Sequence, residues 1–274
     1  MNAPNAPIGV FDSGVGGLSV LKALQAELPL ENFIYIADSA HAPYGERDEA
    51  YVIARSKAIT THLVSMNIKA LVIACNTATA AAIHLLRADY PDLPIIGVEP
   101  ALKPAVALSK TGRIGIMATR STLASAKFQA LLASQNGLAV FVLQPCDGLA
   151  DAIERSAENN DATEIIAACT RFTKAMGIFG HQTGQIDTLV LGCTHYPFAR
   201  PYLQPLLGHN VQIVDNGEAI ARQTRRLLAS QAISTDVTLA ATAGQLTLFT
   251  TGRSHALHVA AVRWLGLETA VRLL

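Results

Sequence analysis

Charge is scarce in this chain. Lys, Arg, Asp and Glu make up 15% of its 274 residues, and 21 basic side chains balance 21 acidic ones. No basic run is longer than the Arg225–Arg226 pair. That argues against nucleic acid as a partner, because phosphate backbones are bound by clustered positive charge. Long apolar runs are missing too. The best candidate for a membrane span lies between Lys69 and Arg87. It falls short of the usual ~18–20 apolar residues and contains Asn76, Thr77, Thr79 and His84, so no membrane association is expected. Residues 1–7, MNAPNAP, have neither the charged n-region nor the apolar h-region of a signal peptide. We expect a frayed arm there, on a cytoplasmic protein. Cysteine is sparse: Cys75, Cys146, Cys169 and Cys193, with no C-x-x-C pair. A zinc knuckle is therefore not expected, and in a reducing compartment these are free thiols.

What the chain does have is core. Half its residues are hydrophobic, enough for one large or two medium domains. Short apolar runs alternate with amphipathic stretches. The runs are PIGVFD (7–12), NFIYIAD (32–38), ALVIACN (70–76) and PIIGVE (94–99), then RIGIMAT (113–119), LAVFVLQ (138–144), TLVLGCT (188–194) and VQIVDN (211–216). Helical patterns such as GGLSVLKALQAEL (16–28) and ARSKAITTHLVSMN (54–67) lie between them. Val- and Ile-rich strands separated by helices indicate parallel α/β units buried on both faces. The series also repeats. Ile8-Gly9-Val10 matches Ile114-Gly115-Ile116, and Val72-Ile73-Ala74-Cys75 matches Val190-Leu191-Gly192-Cys193. A period this long means duplicated domains rather than a solenoid.

The expected fold is therefore α/β: two pseudo-symmetric doubly wound domains with mainly parallel sheets and a ligand site in the cleft between them. The last sixty or so residues hold a helix (217–230), a strand (244–252) and a helix (255–266). They are too few for a third domain and are expected to return to the first. Domain 1 is then 1–98 plus 212–274, and the inserted domain 2 is 99–211.

Ligands of open α/β sheets bind beyond the carboxyl ends of the strands. Three segments carry reactive groups there: FDSGVGG (11–17), ACNTAT (74–79) and LGCTHYP (191–197). If the halves face each other across a pseudo-twofold axis, Cys75 and Cys193 approach one ligand from opposite sides. Opposed acid/base groups suit removal of a proton from one face of a carbon and its return on the other. A thiol suits both roles, since a helix N-terminus or a cationic neighbour brings its titration toward neutrality. The backbone N–H groups after each cysteine favour an anion such as an α-carboxylate.

The segments GVFDSGVGGLSVL, ADSAHAPYGER, ACNTATA and LGCTHYPF, in this order, resemble the signature segments of cofactor-independent glutamate racemases. The likeness runs from Ile8 to about Gly266. It implies that Cys75 and Cys193 are the two catalytic cysteines, one deprotonating D-glutamate and the other L-glutamate. Asp12 and Ser13 match the substrate-binding pair after the first strand, with Asp12 near the first thiol. Tyr44 and Gly45 match a substrate-contacting loop. Asn76, Thr77, Thr194 and His195 match residues that hold the substrate's carboxylates and amine, and Thr119 is counted with them. The resemblance also implies that His195 assists the second thiol. Glu154, eight residues after Cys146, resembles a family glutamate near that thiol, although Asp147 stands where the family more often has proline. The resemblance further implies a homodimer using neither metal nor pyridoxal phosphate, which supplies D-glutamate for peptidoglycan.

Other readings stand beside these. Asp12 is also placed to cap a helix beginning near Gly14 or Val15. GVGG lacks the third glycine of a dinucleotide loop, where Ser19 stands. His255 and His258 share a helical face but have no third metal ligand in view. Cys146 and Cys169 read as core filler. An aspartate or hydantoin-type racemase would use the same thiol pair with a different side-chain site, and a non-catalytic two-lobed amino-acid-binding protein would need neither thiol.

Overall fold

Strand runs buried on both faces need helices above and below them, and the chain supplies these in regular alternation. A computed structural model describes residues 5–235 and 243–274. The expected frayed arm, residues 1–7, thus lies partly outside the described residues. The chain opens with β1 (Ile8–Asp12), α1 (Leu18–Glu27), β2 (Phe33–Ala37), α2 (Glu49–Ser65), β3 (Ala70–Ile73), α3 (Asn76–Asp89) and β4 (Ile95–Gly97). It continues through α4 (Leu102–Leu108), β5 (Arg113–Ala118), α5 (Arg120–Ala124), α6 (Ala126–Ala133), β6 (Val140–Pro145), α7 (Leu149–Asn159), α8 (Thr163–Met176), β7 (Thr188–Gly192), α9 (Arg200–Leu207) and β8 (Gln212–Val214). It closes with α10 (Gly217–Ser230), β9 (Leu246–Thr250), α11 (Ser254–Leu265) and β10 (Val271–Leu273).

The chain divides into two units, Met1–Val98 with Gly217–Leu274, and Glu99–Asn216. The first holds a parallel sheet in the order β10-β9-β2-β1-β3-β4, the second a parallel sheet in the order β6-β5-β7-β8. The order β2-β1-β3-β4 is the order β6-β5-β7-β8 with each strand replaced by its sequence counterpart. The duplication read from the sequence thus extends to topology.

The expected boundary at 211/212 moves to 216/217. Strand β8 pairs with β7, and Asn216 donates its Nδ2–H to the Glu99 carbonyl at 3.1 Å. These bonds tie residues 212–216 to the second unit. The returning segment lies in the first: β9 pairs with β2, and α10 packs on α1. The short strand β10 was not anticipated.

In the first unit, Phe11, Ile34, Ile36, Leu71 and Ile73 pack with Ile59 and Leu63 of α2 and Ala78 and Ala82 of α3. Strand alternation turns Val10, Tyr35 and Val72 to the opposite face, where they are also fully buried. In the second unit, Ile114, Ile116 and Val190 pack with Leu102 and Ala105 of α4. On the other face Gly115 lets α8 close in, since a Cβ there would sit 2.5 Å from the Met176 Cε. Each buried Leu, Ile or Phe contributes about 1.5–3 kcal/mol. Both sheets are therefore rigid platforms for whatever their strand ends carry. No helix among the described residues is long and apolar enough to cross a membrane.

Candidate active site

The carboxyl edge of the first sheet gathers Asp12 (β1), Asp38 (after β2), Cys75 (after β3) and Thr251 (after β9). Register explains the juxtaposition. Phe11 pairs with Ile73, and continuing the pairing sets Ser13 level with Cys75. The Cys75 thiol lies 3.9 Å from Ser13 Oγ and donates toward it. Asp12 Oδ1 accepts from the Ser13 N–H at 2.6 Å and from its hydroxyl at 3.2 Å. The first helix begins later than the capping alternative for Asp12 places it. That helix starts at Leu18, with Gly17 as an N-cap that makes no side-chain cap bond. Gly17 matters for clearance instead: a Cβ there would fall 2.7 Å from Asp12 Cβ and 2.8 Å from the Tyr35 hydroxyl.

Cys75 is the N-cap of α3, and its sulfur accepts the Ala78 N–H at 3.4 Å. It is 5% exposed. The start of a 14-residue helix thus points its N–H groups and positive dipole end at the thiol. Asn76 and Thr77, the first residues of that helix, are buried. Both polar atoms of the Asn76 carboxamide are without a hydrogen-bond partner among the described residues. A buried amide left so costs about 1–3 kcal/mol per group.

Tyr44 is buried in the same cluster as Cys75, and its hydroxyl donates to Asp38 Oδ2 at 2.5 Å. Burial, then the Asp38 charge beside it, keeps the phenol protonated far beyond the usual range. Gly45 follows in the same 3-10 turn.

The second sheet repeats the register. Ala118 pairs with Gly192, and one step further Thr119 stands level with Cys193, as Ser13 does with Cys75. Each thiol thus has a hydroxyl residue beside it in sequence register. Thr119 caps α5, accepting the Thr122 N–H at 3.2 Å. Beyond this the two edges differ. Cys193, 8% exposed, has an imidazole: His195 Nδ1 shares a hydrogen bond with its sulfur at 3.6 Å. On the far side His195 donates Nε2–H to Glu154 Oε1, on α7, at 2.7 Å. Burial alone would lower the His195 titration, but the bonds to Cys193 and Glu154 override it and hold the ring well above the ordinary imidazole value. The ring thus lies between a carboxylate and a sulfur, and both contacts favour its protonated form. Thr194 is buried between these two residues in sequence.

The structure thus brings together Asp12, Ser13, Tyr44, Gly45, Cys75, Asn76 and Thr77 on one sheet edge. It brings Thr119, Glu154, Cys193, Thr194 and His195 together on the other. His258 donates Nδ1–H to the Thr269 carbonyl at 3.2 Å, and no group of three potential ligands that would hold a metal occurs among the described residues.

The chain as a whole has counterparts among known proteins. Residues 9–224 match the family model described as Asp/Glu/hydantoin racemase. This chain belongs to that racemase family. It is 49% identical over 229 residues to the glutamate racemase of Ectopseudomonas mendocina, covering 83% of this chain and 84% of that one. A crystal structure of a Bacillus anthracis glutamate racemase isoform superposes with a TM-score of 0.85 at 30% identity, over 99% of this chain and 98% of that one. The Escherichia coli glutamate racemase, solved with L-glutamate and the activator UDP-MurNAc-ala, gives 0.83 at 31% identity, over 98% of each chain.

One residue of this racemase-family chain joins the first edge without a sequence motif of its own to mark it. Asp38 sits inside ADSAHAPYGER, yet only its tyrosine and glycine were singled out. Its signal was a lone carboxylate closing an apolar strand, as Asp12 does. Cys146, expected as core filler, is buried; it directly follows β6 and neighbours the second edge. Tyr196 donates its hydroxyl to the Cys146 carbonyl at 3.3 Å. The Cys146 thiol is pushed up by burial first and by the Cys193 charge next. Cys169, inside α8, is pushed up to about 12 by burial.

Proposed function

We propose that this protein is a glutamate racemase in which Cys75 and Cys193 serve opposite faces of one α-carbon. The observation that carries the reading is the pair of thiols at the same register position on two sheets of the same strand order, each with a hydroxyl residue level with it. A binding protein has no need of reactive sulfurs at both places. The relatives' activity and the L-glutamate held by the E. coli protein favour glutamate as the substrate.

In one direction a thiolate removes the α-proton and the opposite thiol delivers its own proton to the other face. The products are the inverted amino acid, one new thiol and one new thiolate. In the return reaction the two sulfurs exchange roles. The α-proton of a zwitterionic amino acid is very weakly acidic, and each tenfold acceleration requires about 1.4 kcal/mol. Without an electron sink that stabilisation comes from fixed donors around the carboxylates and from exclusion of water. The unpartnered Asn76 carboxamide and the N–H groups at the start of α3 are donors of this kind. Asp12, Ser13, Tyr44, Gly45, Thr77, Thr119 and Thr194 complete the substrate shell, and His195 with Glu154 supports Cys193. The same reading places a homodimer in the cytoplasm, working without metal or organic cofactor to provide D-glutamate for peptidoglycan.

The test is solvent exchange. Each glutamate enantiomer is incubated with the protein in heavy water while the α-position and optical rotation are followed. Early label in the product enantiomer, in both directions, is expected. Aspartate is run in parallel, and preferential turnover of aspartate would move the assignment to another branch of the family. Retention of the substrate α-hydrogen in the product would contradict transfer between two separate groups. Because enantiomers have equal free energy, kcat/KM is the same in both directions for every variant. A difference between the thiols must therefore be sought in kcat and KM separately, and in which enantiomer exchanges its hydrogen.

A further inference from the structure

Asp38 is 0% exposed and its carboxylate is fully engaged inside the first unit. Oδ2 accepts from the Tyr44 hydroxyl at 2.5 Å and from Arg55 Nε–H at 2.9 Å. Oδ1 accepts from Arg55 Nη2–H and from the Thr251 hydroxyl, each at 2.9 Å, and from His41 Nδ1–H at 3.0 Å. Five donors on two oxygens leave no capacity for a substrate. The carboxylate is equally unsuited to take a proton, being stabilised by a bidentate guanidinium. A buried charge of this kind persists only when it is paired, and here its five donors tie it to one geometry.

The geometry it fixes is that of the 39–47 loop. The loop leaves β2, makes the two 3-10 turns Ser39–His41 and Tyr44–Glu46, and enters α2 at Glu49. Asp38 stands at its start and Arg55 lies two turns into the helix after its end. The Tyr44 hydroxyl has a single proton, already given to Asp38. What Tyr44 and Gly45 offer a substrate is therefore ring and backbone, and their position depends on where that hydroxyl is held. Thr251 brings the returning segment into the same knot: its N–H donates to the Ala37 carbonyl at 3.1 Å, and its hydroxyl accepts the Ala40 N–H at 3.2 Å.

We propose that Arg55 is a positioning residue: its guanidinium clamps the Asp38 carboxylate, which anchors the Tyr44 phenol and so holds the 43–45 backbone in place for the substrate. This rests on the reading above that Tyr44 and Gly45 meet the substrate. A displacement of about 1 Å in a positioning group is enough to cost one to two orders of magnitude in rate.

The test combines kinetics with amide exchange. Arg55→Met should lower kcat/KM for glutamate about tenfold, mainly through KM, and Arg55→Lys, which keeps the charge but loses the fork, by about threefold. In a Tyr44→Phe background the Arg55→Met change should add less than about twofold, because the contact through which it acts is already gone. The same factor in both backgrounds would overturn the proposal, as would a loss of thermal stability with KM unchanged. Hydrogen exchange by mass spectrometry reads the anchor independently of turnover. Faster exchange confined to residues 39–47 in Arg55→Met, or in Arg55→Lys if the former does not fold, is expected. Unchanged exchange there overturns the anchor. Faster loop exchange in a protein whose parent form turns over no glutamate would instead retain the anchor and sink the assigned reaction.

Discussion

The two sheet edges share a plan and differ in chemistry. In the first, Cys75 is served by a helix N-terminus and by the Ser13 hydroxyl. In the second, Cys193 is served by an imidazole backed by a carboxylate. Over the four strands the sheets share, order and register are the same, so duplication fixed where each sulfur sits. The segments after the strands set what surrounds it. After β3 the chain runs straight into a 14-residue helix, whose first turn caps itself with the cysteine. After β7 it makes a short 3-10 turn at Tyr196–Ala199, and His195 before that turn reaches Glu154 on α7. A thiolate can be supported by aligned backbone dipoles or by a cationic side chain. Here a helix start stands beside one sulfur and an imidazole beside the other.

The largest effects should fall on the sulfurs themselves. Cys75→Ala and Cys193→Ala should each lower kcat by about 10³-fold, within the range of a lost acid/base group. The double variant should be little worse than either, because the two groups act in one step. Each single variant should wash solvent deuterium into one enantiomer only, and into opposite ones. If either racemises at the parent rate, the two edges are not partners in one reaction.

Next come the supports. His195→Asn should cost about 100-fold in kcat, whereas Ser13→Ala should cost only about fivefold, because one neutral hydrogen bond contributes less than a cationic acid/base partner. Steady-state rates in both directions measure this. Equal losses would mean that the imidazole acts as no more than another polar neighbour.

Glu154→Gln should be milder still, about tenfold in kcat, and it carries a pH signature. His195 in the folded protein titrates well above the ordinary imidazole value. Its contribution to stability is therefore complete below the unfolded value near ~6.5 and fades as pH rises through the folded value. Removing the Glu154 charge weakens one of the two bonds that raise it. The Tm gap between parent and Glu154→Gln should be widest near pH 6 and should shrink toward alkaline pH. A gap that widens with pH would mean that His195 is not held as a cation by this pair.

How much of this could be read beforehand depended on range. Periodicity is a local property, so the strands and the alternation with helices were legible, and repetition of the Cys75 strand at Cys193 exposed the duplication. The boundary near 212 was misplaced because VQIVDN reads equally well as the last strand of one unit or the first of the next. Only its pairing with β7 decides. The Asp38–Arg55–Thr251 knot joins groups 17 and 213 residues from Asp38, and no local pattern marks a contact of that span. Glu154 was reached through motif spacing, but its bond to His195 comes from the packing of α7 beside the turn after β7.

The smallest effect should separate two thiols of the same unit. Cys146 follows β6 as Cys193 follows β7, so position alone would make it a rival base. Its environment argues otherwise: it is 2% exposed, its S–H donates to the Gln144 carbonyl at 3.4 Å, and burial together with the Cys193 charge keeps it protonated. A thiol so held fills space and accepts no proton from a substrate. Cys146→Ala should therefore leave racemisation within about twofold while lowering stability by about 1 kcal/mol in urea titration, the cost of a small buried truncation. Cys193→Ala should show the reverse pattern, with most of its loss in turnover. If Cys146→Ala instead loses activity on the scale of Cys193→Ala, proton transfer on this edge runs through both sulfurs. The contrast of one reacting thiol per sheet would then give way to a relay on the second sheet alone.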